Sequence, residues 1–182
     1  DEEKCDQLVQ KTLEQVKYCI GIEDAKSATI VFEAVGEDIP LKLFLFKKMA
    51  ESCTKETLFL SNTSSIPIDF LSRESGLEGK MIGFHFYNPP PIQKLVEVIY
   101  PQTPVRDEFS EIISFLERRL SKNLVFSKDI AGFIGNGYFI REMLFAFKKV
   151  KELQHTFTLP ESFYLINKIF NDYLIRPMGI FQ

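Results

Sequence analysis

No stretch of this chain reaches the roughly 18 to 20 consecutive apolar residues that a membrane-crossing helix needs, so no such span is expected. Positive charge is not in excess either. The 22 Lys and Arg against 25 Asp and Glu give a net charge of -3 and a pI near 5.5. That balance provides no broad field for nucleic acid or an anionic membrane and leaves room only for a local basic pocket. Cysteine is scarce: Cys5, Cys19 and Cys53 are odd in number and lack CxxC spacing. This argues for free thiols in a reducing compartment and against a disulfide framework or a cysteine-held metal. The acidic opening Asp1-Glu2-Glu3 is unlike a signal peptide, and the chain reads as soluble and intracellular. Internal repeats and low-complexity tracts are missing as well. Hydrophobic material is plentiful, at 45% of 182 residues, enough for one sizeable core or two small ones. Most of the 18 phenylalanines are expected to build that core.

Periodicity supplies the organisation. Leu8, Val9, Thr12, Leu13, Val16 and Cys19 recur at three- and four-residue spacing, which predicts an amphipathic helix over 3–20 that Gly21 ends. The β-branched and aromatic run from Ala28 to Glu33 predicts a buried parallel strand. A helix over 38–52, a strand over 57–61, a short helix from Pro67 and a strand over 81–86 follow. Then come a strand over 94–100, a helix over 106–120 with a charged face, and a last strand over 123–127. Strands alternating with helices imply a mainly parallel α/β sheet. From Phe133 the pattern changes to long helices, about 133–153 and 160–174, so a helical second unit is expected beyond a hinge at Asp129-Ile130-Ala131-Gly132.

The chemistry-bearing residues cluster in Gly83-Phe84-His85-Phe86-Tyr87-Asn88-Pro89 and in Lys94-Leu95-Val96-Glu97-Val98. A histidine and a buried carboxylate are the minimum equipment for moving a proton at neutral pH. If Glu97 pairs with one imidazole nitrogen of His85, it fixes the tautomer and stabilises the imidazolium that forms. The alternative is a hydrogen-bonded core histidine and a surface carboxylate on an edge strand. Ser64 falls in a loop after a strand, where open α/β sheets place ligands, or it satisfies turn backbone like many serines. His155 lies between long helices and lacks metal-ligating partners at usable spacing. Lysines 47, 48, 148, 149 and 151 read as solvated helix faces.

Glu33-Ala34-Val35-Gly36-Glu37, Ser61-Asn62-Thr63-Ser64-Ser65, the Gly83–Pro89 motif and Lys94–Val98 occur in the order found in L-3-hydroxyacyl-CoA dehydrogenases. The segment Lys128–Asn136 resembles that family's entry into its helical domain, and Arg176-Pro177-Met178-Gly179-Ile180-Phe181-Gln182 resembles a later helical motif. The resemblance implies NAD as cofactor, an acyl-CoA substrate and oxidation of its 3-hydroxyl to a ketone in fatty-acid β-oxidation. It further implies His85 as general base oriented by Glu97, with Ser64 contacting substrate and nicotinamide. Asn136 would help to hold the reacting oxygen, and Asn88 would lie near substrate and cofactor. Glu37 and Lys42 would sit on the nicotinamide-ribose side. Simpler roles stand beside these: a helix cap for Asn136, a turn before Pro89 for Asn88, a solvated helix start for Glu37 and Lys42.

Departures from the family pattern matter too. These enzymes open with a strand and a GxGxxG turn that wraps the pyrophosphate at a helix N-terminus, and no GxGxxG exists here. The acidic residue that would hold the adenosine ribose has no candidate, and Gly137 stands where many relatives carry arginine. The expectation is therefore an incomplete Rossmann-like α/β domain over residues 1–132, joined to the first part of an all-helical domain over 133–182. A fragment of this kind is expected to be inactive alone and to self-associate, as a homodimer, through its uncovered edge and apolar surface. The parent enzyme would reside in a bacterial cytoplasm or a mitochondrial or peroxisomal matrix. A non-catalytic acyl-CoA-binding or dimerisation module on the same fold is the alternative.

Overall fold

The computed structural model describes residues 2–174 and 179–181. Arg176, Pro177, Met178 and Gln182 of the C-terminal motif lie outside the described residues. Five strands form one sheet in chain order: β1 (Ile30–Glu33), β2 (Leu58–Ser61), β3 (Met81–Phe86), β4 (Leu95–Tyr100) and β5 (Asn123–Lys128). Every neighbouring pair is parallel except β3–β4, which is antiparallel. The exception has a simple cause: residues 87–94 contain no helix to carry a crossover, and so short a link returns the next strand antiparallel. That reversal puts His85 directly opposite Glu97 in the ladder.

Six α-helices accompany the sheet: α1 (Glu2–Leu13), α2 (Ile39–Ser52), α3 (Ile68–Ser75), α4 (Glu108–Leu120), α5 (Gly135–Leu153) and α6 (Leu159–Asp172). Local sequence explains the starts of α2 and α6. The Asp38 carboxylate accepts from Leu41 N at 2.7 Å ahead of Pro40 in the first turn of α2. Thr158 and Glu161 form a reciprocal capping box on α6. The start of α3 has no local side-chain cap; instead Asp129, about sixty residues away in sequence, accepts from Ile68 N and Asp69 N at 2.7 Å each. Gly76, at φ +72°, ends that helix in the left-handed region.

The core is divided by the sheet. One face packs Phe46 of α2, Ile68 and Leu71 of α3, and Phe133 against Val31, Phe59, Met81 and Ile99. The other face packs Phe109, Ile113 and Leu116 of α4 against Leu60, Phe84, Val96 and Val98. A third cluster, Ala146, Val150, Ile166, Phe170 and Ile180, holds α5 to α6. The predicted elements from β1 onward match in order and kind, including the two long helices.

The N-terminal helix differs from expectation. It stops at Leu13 rather than running to residue 20, and a 3-10 turn over Ile22–Ala25 follows Gly21. The reason is that its apolar stripe has nothing to pack on: Leu8, Val9, Leu13 and Val16 are all exposed. A helix without tertiary partners rests on propensity alone, and the Val16, Tyr18 and Ile20 stretch is poor helix material.

Candidate active site

The sheet positions two buried carboxylates, Glu97 within β4 and Glu33 at the end of β1. The first is Glu97 on β4. Its Oε2 lies 2.8 Å from His85 Nδ1, with the residues 1% and 6% exposed. Its Oε1 accepts from Ile134 N at 2.9 Å and Gly135 N at 3.0 Å, the first amides of α5. The carboxylate therefore faces the positive end of a helix as well as an imidazole. Burial on its own would raise the Glu97 carboxyl; the hydrogen bonds from His85, Gly135 and Ile134, with the Tyr87 phenol nearby, outweigh it and leave the group below its ordinary value. In the Nδ1–H tautomer, Nδ1 donates to Glu97 and Nε2 is left with its lone pair, an arrangement that can serve as a base. The reading of Glu97 as an edge-strand surface charge is excluded by its burial and by β5, which pairs beyond it.

Ser64 and Asn136 come together in the same region. Asn136 Nδ2 donates to the Ser64 backbone oxygen at 2.9 Å, and Gly132 N donates to Ser65 O at 3.1 Å. Gly132, at φ +77°, makes the tight turn that allows this; a Cβ there would meet Gly137 N at 3.0 Å. Ser64, Asn136, Glu97 and His85 are thus joined through one continuous set of contacts at the C-terminal end of β2 and the N-terminus of α5. Asn88 stands apart, exposed before a cis bond to Pro89.

The second buried carboxylate is Glu33, at the end of β1. It accepts from Lys42 Nζ at 2.7 Å, from Ser61 Oγ at 2.6 Å and from Val35 N at 2.8 Å. Lys42 is 1% exposed and also bonds Val35 O at 3.2 Å and approaches Glu37 at 3.4 Å. Its amine points into the fold, so it does not form a solvated helix face. Glu37 is half-exposed. Its Oε1 gathers the loop after β2, accepting from Thr63 Oγ1 at 2.7 Å, Ser64 N at 2.9 Å and Ser65 N at 3.0 Å. The Ser64 hydroxyl lies 3.3 Å from the same oxygen. Burial raises the Glu37 carboxyl, and the Thr63, Ser64 and Ser65 bonds with the Lys42 charge pull it lower still, for a net decrease. Glu37 therefore shapes the Ser64 loop through Oε1, while its Oε2 faces Lys42 Nζ at 3.4 Å.

Sequence reasoning missed Glu33 and Tyr87. A carboxylate closing a β-branched buried strand, with a lysine nine residues on, was the available signal for Glu33. Tyr87 had none beyond its place two residues after His85. Among the described residues, no group of three or more His, Cys, Asp or Glu is arranged to hold a metal ion, and no helix is long and apolar enough to cross a membrane.

Comparison with known proteins finds a family match over residues 2–130 to "3-hydroxyacyl-CoA dehydrogenase, NAD binding domain". The chain is 34% identical over 132 residues to the human mitochondrial hydroxyacyl-coenzyme A dehydrogenase, covering 72% of this chain and 42% of that protein. It is 32% identical over 128 residues to the probable 3-hydroxybutyryl-CoA dehydrogenase of Bacillus subtilis, covering 70% of this chain and 44% of that one. Among solved structures, (S)-3-hydroxybutyryl-CoA dehydrogenase from Ralstonia eutropha superposes with a TM-score of 0.78 at 25% identity, covering 98% of this chain and 64% of the other. The chain thus spans less than half the length of these curated relatives.

Proposed function

Because the chain belongs to the 3-hydroxyacyl-CoA dehydrogenase family, in its NAD-binding domain, we propose that the protein it forms part of oxidises the 3-hydroxyl of an L-3-hydroxyacyl-CoA to the 3-ketone. His85 Nε2 takes the hydroxyl proton while the hydride on the same carbon departs. NAD, when bound, accepts that hydride. The observation that carries the reading is the 2.8 Å contact between His85 Nδ1 and a Glu97 carboxylate that two backbone amides hold in place. Glu97 supplies orientation and charge and need not itself become protonated. The Ser64 hydroxyl donates to the substrate oxygen, and Asn136 helps to hold the oxygen as its charge develops. Asn88 borders the substrate and the nicotinamide.

The residues at the C-terminal edges of β1 and β2 fit the nicotinamide-ribose end of the cofactor, where Glu37 and the Ser64 loop it gathers stand together. Lys42 serves that end by neutralising Glu33 and steadying Glu37. Residues for the pyrophosphate end are not found in this sequence, which has no GxGxxG. We read residues 1–132 as belonging to the cofactor-binding unit and 133–182 as the start of a helical substrate and dimerisation unit. Exposed apolar side chains on α5, such as Leu144 and Phe145, support a homodimer. The proposed setting is fatty-acid β-oxidation in a bacterial cytoplasm or an organellar matrix.

The test is the reduction of acetoacetyl-CoA by NADH, followed by loss of NADH absorbance. It is run on this chain and on the chain joined to the part of the Bacillus subtilis relative that the chain does not match. We expect turnover from the joined protein and a loss of about a hundred- to ten-thousandfold in His85→Gln. One other reading is a non-catalytic acyl-CoA-binding module on the same fold. Acyl-CoA binding by the joined protein without turnover would select it.

A further inference from the structure

Tyr87 is the one described residue with a buried side-chain oxygen that completes no hydrogen bond. A buried hydroxyl without a partner is uncommon enough in folded proteins to call for an explanation. Its surroundings supply one. The Tyr87 ring lies 4.9 Å from the His85 imidazole, centroid to centroid, tilted by 49°. The Glu97 carboxylate and the Gly135 amide are both near enough to act on the phenol; burial and then Glu97 push its ionisation up to about 12, so it stays protonated at any physiological pH. A protonated phenol beside an ionised carboxylate can only be its donor.

Gly135 is the steric counterpart. A Cβ at position 135 would come within 1.8 Å of Tyr87 Oη and 2.7 Å of Cζ. Neighbouring Gly137 has no such constraint, since a Cβ there meets nothing closer than 3.6 Å. The glycine at 135 therefore makes room for the phenol, and the same residue donates its amide to Glu97. One residue serves both the space and the carboxylate.

We propose that Tyr87 is a positioning residue for the His85–Glu97 pair: its hydroxyl donates to Glu97, keeping that carboxylate ionised and aimed at His85 Nδ1, in a space that only glycine at 135 leaves open. The proposal deepens the dehydrogenase reading and rests on it for its catalytic meaning, but its physical content is independent of turnover. With Tyr87 in place, Glu97 has donors from the imidazole, two amides and a phenol, so it remains an anion whether or not His85 has taken a proton. Without the phenol, protonation of Glu97 becomes easier and the imidazole loses a fixed partner.

The experiment is titration of the Glu97 carboxyl carbon by 13C NMR in this chain, in Tyr87→Phe and in Gly135→Ala. The quantity read is the acidic midpoint of the Glu97 carboxyl signal. The midpoint is expected to move up in Tyr87→Phe, and to move up in Gly135→Ala as the added methyl displaces the phenol. The double variant should show no more than the larger single shift. An unchanged midpoint in Tyr87→Phe would overturn the proposal, whatever the protein does with substrate. Should Gly135→Ala fail to fold, Tyr87→Phe alone decides. In the joined enzyme, Tyr87→Phe should lower kcat about tenfold with KM for acetoacetyl-CoA unchanged; a pure rise in KM would place Tyr87 in substrate binding and contradict the assignment.

Discussion

Glu33 and Glu97 are chemically the same side chain, each at most 4% exposed, each on a strand of one sheet. Their partners separate them. Glu33 is matched to a lysine, a serine and one amide; Glu97 is matched to a histidine and two helix-start amides. An ammonium ion is a fixed charge near neutral pH, so the Glu33–Lys42 pair locks β1 to α2. An imidazole can exchange its proton in that range, so a carboxylate beside it is suited to the proton transfer proposed for His85. Burial of a charge marks either kind of site, and the partner's chemistry tells which.

Breaking each pair from one side should expose the difference. Lys42→Met leaves Glu33 buried and unpaired, and a cost of about 3–5 kcal/mol in folding stability is expected from urea or thermal unfolding. Glu97→Gln in the joined enzyme should instead fall mainly on turnover, by about a hundredfold, which is roughly 3 kcal/mol of barrier. If Lys42→Met left stability unchanged, Glu33 would have to be satisfied by Ser61 and Val35 alone.

Acid pH sharpens the contrast. Glu97 and Glu37 have folded-state values below the ordinary 4.5. A carboxyl depressed by folding contributes stability above its unfolded value and loses it as pH falls through the folded one. Unfolding midpoints should thus decline as pH drops below about 4.5, with a shallower decline in Glu97→Gln. Asp129 runs the other way: burial raises it above the usual 3.8, so its contribution is present while protonated and is lost as pH rises through the folded value. Removing its charge in Asp129→Asn should flatten that part of the profile. The smallest effect expected is that of Gly137→Ala, within about 1 kcal/mol of the original and stabilising if anything, because alanine is the better helix residue and its methyl has room.

The same contrast explains what could be read in the sequence. The order and kind of elements from β1 to α6 were legible because each carries its own periodicity. The His85–Glu97 pair was legible because its strands are joined directly, so twelve residues bring the two face to face. Glu33 and Lys42 were harder. Lys42 stands at the start of a helix where charge is ordinarily solvated, and only the approach of β1, α2 and the Ser61 strand end shows that it is buried. Asp129 capping α3 from about sixty residues away in sequence leaves no local trace at all. The length of α1 was overestimated because an apolar stripe records the capacity to pack, not the presence of a partner.

The central claim is that Glu97 holds His85 with its base nitrogen free, and 15N NMR of the imidazole in the neutral state addresses it most directly. The account predicts the Nδ1–H tautomer, with Nε2 unprotonated and with the Nδ1 proton shifted downfield by a hydrogen bond that Glu97→Gln weakens. A dominant Nε2–H tautomer, unaffected by Glu97→Gln, would contradict it.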